Sequence, residues 1–78
     1  MITARQIRAA RALLGWSQQM LADRAVVSLN ALVRLENGRA DTRLSTLTAV
    51  QTALLQAGIE FLPVGAKGEG VRLRDPDA

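Results

Sequence analysis

Residues 17–38, SQQMLADRAVVSLNALVRLENG, constrain this chain more than any other stretch. They read as two short amphipathic helices joined by a tight turn. Ser17 stands where the first helix needs an N-cap, and Met20, Leu21 and Ala22 follow before a turn at Ala25–Val27. Ser28 caps the second helix, which ends at Asn37-Gly38. At about 100° per residue the second helix divides into two arcs. Ala31, Leu35, Ser28, Leu32 and Glu36 share one side, apolar except at its edges, and are expected to face the other helices. Leu29, Val33, Asn37, Asn30 and Arg34 share the other.

The flanking pattern adds a helix on each side. Thr3 opens the first, with Gln6 three residues later in capping-box spacing, and Gly15 closes it after Leu14. Ile7, Ala10 and Leu14 form its apolar stripe, with Arg5 and Arg8 off the stripe. After a loop at residues 39–44, a fourth helix is expected from about Arg43 to Ala57, with Leu47, Val50 and Leu54 inward and Gly58 as its stop.

Beyond Gly58 the period changes. Ile59, Phe61 and Val64 alternate with Glu60, Leu62 and Pro63, residues 65–70 (GAKGEG) make a turn, and residues 71–74 alternate again. This predicts a β-hairpin, with Pro63 at an edge and Asp75 to Ala78 frayed. An isolated hairpin is marginal in water. The face bearing Ile59, Phe61, Val71 and Leu73 must therefore cover the helices or meet its copy in a second subunit. The expected fold is mainly α: four helices over residues 1–58, then a short C-terminal β-hairpin over residues 59–78.

Composition removes several function classes. Without cysteine, histidine or tyrosine there is no disulfide framework, no His- or thiolate-ligated metal site and no Ser-His-Asp triad. GAKGEG lacks the spacing and the following Lys-Ser/Thr of a phosphate-cradling loop, and no catalytic carboxylates cluster. Neither enzymatic activity nor a cofactor is expected. No apolar run approaches the roughly 20 residues of a membrane span, so no membrane partner is expected. The N-terminal residues do not divide into the segments of an export signal, which leaves a cytoplasmic location as the expectation.

Net charge is +3, and its distribution says more. The seven arginines of residues 1–58 face only Asp23, Glu36 and Asp41. Residues 59–78 set Lys67, Arg72 and Arg74 against Glu60, Glu69, Asp75 and Asp77. Positive charge thus gathers in the helical part, as a polyanion binder requires. On the outer arc, Asn30 has the amide geometry for a bidentate contact to adenine, and Arg34 can grip guanine or phosphate. Leu29 and Val33 can touch thymine methyls in a major groove; in a plain solvated helix they are a small cost.

Gln18, Leu21, Ala22, Val27, Ser28, Leu32, Leu35, Glu36 and Gly38, in one register, resemble the helix-turn-helix of the Cro and phage-repressor (xenobiotic response element) family. That resemblance covers residues 5–58 and implies a second helix lying in the DNA major groove. It assigns Ser17, Gln18 and Ser28 to phosphate contacts, and likens Arg39 and Arg43 to the family's backbone clamps. It also implies a structural ion pair: an arginine four residues before the glycine ending helix 1, here Arg11, pairs with Glu36. The tail, AGIEF…GVRLR, is similar to a subgroup of small bacterial regulators in which a hairpin follows four helices. This likeness points to Ile59, Phe61, Val71 and Leu73 as a dimer interface. Two positions depart from the family: Val26 stands where glycine is usual in the turn, and Met20 where many relatives carry glutamate.

The resemblance therefore implies a DNA-binding regulator, acting as a repressor, that sits as a homodimer on a palindromic site in double-stranded DNA. Leu29, Asn30, Val33 and Arg34 would read bases. The competing expectation is an antitoxin or interaction module that engages a protein partner such as a toxin through the helix-turn-helix scaffold or a strand edge.

Overall fold

A computed structural model describes residues 1–63, 65 and 67–74, which form four helices and a two-stranded antiparallel sheet. Val64 and the tail from Asp75 to Ala78, read above as strand and as frayed, lie outside the described residues.

Each helix begins and ends for a local reason. Helix α1 spans Ala4–Leu14. The Thr3 hydroxyl accepts from Gln6 N at 3.2 Å while Gln6 Oε1 accepts from Thr3 N at 2.9 Å, a closed capping box. Gly15, at φ 68°, turns the chain out of the helix. Helix α2 spans Gln18–Ala25, capped by Ser17 Oγ accepting from Met20 N at 3.1 Å. Helix α3 spans Leu29–Glu36, with Ser28 Oγ accepting from Ala31 N at 3.1 Å. Helix α4 spans Leu44–Gln56; Arg43 occupies its N-cap without a capping hydrogen bond.

The turn between α2 and α3 departs from expectation at one residue. Helix α2 keeps Ala25, and Val26 alone takes the left-handed conformation, φ 57° and ψ 47°. Its side chain is 89% exposed, so no packing compensates the strain of a β-branched residue there. Val27 N then donates to Ala22 O at 3.0 Å and closes the helix end.

Strands β1 (Ile59–Leu62) and β2 (Gly70–Leu73) pair within the chain, Ile59 opposite Leu73 and Phe61 opposite Val71. The sheet lies on the helices, β2 against α1 and β1 against α4. One core runs through all of these elements: Ile7, Leu21, Leu32, Val50 and Leu54 are fully enclosed together with Ile59 of the hairpin. Of the four side chains assigned above to subunit contact, Ile59 is 1% exposed inside the chain's own core, and Phe61 and Val71 pack against that core. The face thus covers its own helices, and only Leu73 remains largely open, at 42%. Gln6 is the polar anchor of this arrangement. Its amide nitrogen donates to the carbonyls of Leu62 and Gly70, both at 2.9 Å, across the turn end of the hairpin.

Candidate nucleic-acid interface

Helix α3 packs on α1, α2 and α4 through its inner arc, which burial confirms: Leu32, Leu35 and Glu36 are enclosed. The outer arc faces solvent. Asn30, Arg34 and Asn37 are exposed, Leu29 is 39% exposed, and Val33 is partly covered.

Glu36 fixes where α3 ends relative to α1. A carboxylate that is 1% exposed needs charge compensation and full hydrogen bonding, and it has both. Arg11 Nε donates to Oε2 at 3.0 Å and Arg11 Nη2 to Oε1 at 2.9 Å, the parallel two-bond geometry that a guanidinium fork allows. Gln18 Nε2 adds a third bond, to Oε1 at 3.2 Å. Arg11 Nη1 also donates to the carbonyl of Trp16 at 3.2 Å, and Arg8 donates to the backbone carbonyl of Glu36. Three elements, α1, α2 and α3, are therefore locked at one buried carboxylate. The roles of Arg8 and Gln18 here were not visible in the helical period, since both depend on where α3 docks.

Among the residues assigned to phosphate, Ser17 and Ser28 accept from helix-end amides, which leaves each hydroxyl hydrogen available to an acceptor. The backbone N–H groups at the starts of α2 and α3 carry the positive end of the helix dipole. Gln18 is only partly exposed because its amide faces Glu36. Arg39 and Arg43 are exposed, and among the described residues neither has an ion-pair partner.

The other arginines are engaged. Arg24 lies over the Trp16 ring, 5.0 Å from its centroid, and Arg5 pairs with Glu69. Trp16 itself is partly buried against the core at the end of α1. Arg34 pairs with Asp41 in the loop before α4. An open cleft of about 510 Å³ runs between α3 and that loop, lined by Ser28, Ala31, Arg34, Asp41, Thr42 and Arg43 among others. Sequence spacing held no sign of the Arg34–Asp41 pair, because the loop path sets it.

The described residues contain no group of His, Cys, Asp or Glu that could hold a metal ion, and no described helix is long and apolar enough to cross a membrane. A comparison with curated proteins gives no match. A family model described as Helix-turn-helix matches residues 7–54, from the first core residue of α1 to the last of α4. With that span covering more than half of the chain, and with its two central helices, their turn and the exposed outer arc in place, the chain belongs to the helix-turn-helix family and carries a DNA-binding domain of regulatory type.

Proposed function

We propose that this protein is a sequence-specific transcriptional regulator, a repressor, that binds a roughly palindromic operator as a homodimer. Leu29, Asn30, Val33 and Arg34 read base edges; Ser17, Gln18, Ser28, Arg39 and Arg43 hold the phosphate backbone. The observation that carries this reading is the outer arc of α3. It exposes an amide and a guanidinium on a helix whose inner arc is pinned at Glu36 by Arg8, Arg11 and Gln18. A rigidly held helix with polar readers outward is what direct readout needs. The cations Arg39 and Arg43 supply the sequence-independent attraction.

Two such helices, one per subunit, would enter successive major-groove faces about 34 Å apart. The subunit contact uses the hairpin end of the molecule, where Leu73 and Leu55 remain 42% and 44% exposed and Phe61 borders an open cleft with Gln51 and Leu55. Repression is steric, by occupation of a promoter.

Two variants separate base readout from backbone attraction. Asn30→Ala is expected to lower operator affinity by roughly 1–3 kcal/mol and relax preference at one base position. Arg43→Ala is expected to weaken binding to all sequences alike and make the salt slope shallower by about 0.9 unit. Equal effects of both variants on operator and random DNA would contradict the assignment of roles.

A further inference from the structure

Among the described residues, Asp41 is the one acidic side chain lining the cleft beside α3, where it stands with Arg34 and Arg43. It pairs with Arg34, and both side chains are about half exposed, at 55% and 47%. An ion pair so open to water contributes little to stability. The fold therefore gives no reason to place a carboxylate in the middle of the cationic surface, against the last turn of α3. Toward DNA the position is anything but neutral. A carboxylate held by an arginine has the same chemistry as a phosphate oxygen held by one.

Resting on the reading above, we propose that Asp41 is a specificity-determining residue, an internal stand-in for phosphate that withholds Arg34 from DNA of random sequence. On any duplex, Arg34 reaches a backbone phosphate only by leaving Asp41. One ion pair is then exchanged for another of the same kind, and the released carboxylate faces the polyanion. Both effects oppose sequence-independent binding. At a matching base pair, a bidentate contact to guanine N7 and O6 replaces the lost pair with a geometry that phosphate does not offer. Arg34 therefore counts toward binding at the operator, net of the pair it leaves, and little elsewhere. Without Asp41 it becomes a cation open to every sequence, like Arg39 and Arg43, which have no ion-pair partner among the described residues.

The test is a salt series on a random-sequence duplex with wild type, Asp41→Asn, Arg34→Ala and the double variant, each checked by thermal melting. Asp41→Asn is expected to steepen the slope of log affinity against log salt by about 0.9 unit and to raise affinity at about 0.1 M salt roughly eightfold, the effect of one more released counterion. In the Arg34→Ala background the same change is expected to leave the slope nearly unchanged and to raise affinity by clearly less, since only the repulsion between carboxylate and duplex is removed there. A wild-type slope and affinity in Asp41→Asn would overturn the proposal. So would an equal gain in both backgrounds, which would make Asp41 a simple repulsive charge acting without Arg34. The regulator reading is judged separately, by selection from a randomised duplex pool. A wild type that enriches no site removes that reading, while the four-variant comparison still decides whether Asp41 restrains Arg34.

Discussion

Val26 shows how a single residue can sit against its own conformational preference and still be kept by the surrounding fold. Val26 is the left-handed cap that ends α2, at φ 57°, and the bond from Val27 N to Ala22 O closes the helix around it. A non-glycine residue in that region costs about 1–3 kcal/mol, against about 0.5–1 kcal/mol of extra chain entropy for glycine. Since the side chain is 89% exposed, Val26→Gly is expected to stabilise the protein by about 1 kcal/mol and raise Tm by about 4–8 °C. A thermal melt with an unchanged or lower midpoint would show that the turn carries no strain. The Arg11–Glu36 pair works in the opposite direction. Arg11→Met leaves a 1%-exposed carboxylate without its cation, and the expected loss is about 3–5 kcal/mol by denaturant titration. A loss below about 1 kcal/mol would mean that Gln18 and relaxation suffice to hold the carboxylate.

At the scale of elements, the caps and stripes were legible because each rests on neighbours a few residues away. Thr3, Ser17 and Ser28 start helices, Gly15 stops one, and Ile7, Ala10, Val50 and Leu54 fall inward, all within the reach of a helical period. What the period could not show are the ties between distant segments. Gln6 reads as half of a capping box, yet it is 4% exposed and also bonds both strands at the turn end of the hairpin, contacts 56 and 64 residues away along the chain. The hairpin turn is held in the same way. The Glu69 carboxylate accepts from the Thr3 hydroxyl and from Arg5, and these bonds, that of Thr3 first, hold its pKa below the ordinary value of 4.5. A lowered folded-state pKa means that this tie is fully present above pH 4.5 and is lost as pH falls through the folded value. Protection factors of the β2 amides, exchange rates corrected for the intrinsic pH dependence, are therefore expected to fall on acidification below that range, and Glu69→Gln is expected to remove much of that fall. Identical acid profiles for both proteins would place the sensitivity elsewhere, the Glu60–Arg72 pair across the strands being the next group to examine.

The whole molecule divides its arginines by task. Arg8 and Arg11 set the pose of α3, Arg5 latches the hairpin to α1, and Arg34, Arg39 and Arg43 gather at the end of α3 and the loop that follows. The excess of arginine in residues 1–58 was visible as composition; its partition between internal and outward roles was not, because that follows from the docking of α1 on α3 and from the loop path at Asp41. The hairpin likewise alternates as expected, but its enclosed Ile59 makes it part of the helical core, a matter of packing that alternation leaves open. The central claim is that the outer arc of α3 reads sequence. It is tested most directly by fluorescence anisotropy on DNA from immediately upstream of the gene, and on sites enriched from a random pool, with excess nonspecific competitor. Wild type and Asn30→Ala/Arg34→Ala are compared in one series. The account predicts competitor-resistant binding by wild type that the double variant loses. Equal binding by both proteins, abolished by competitor on every site, would contradict it.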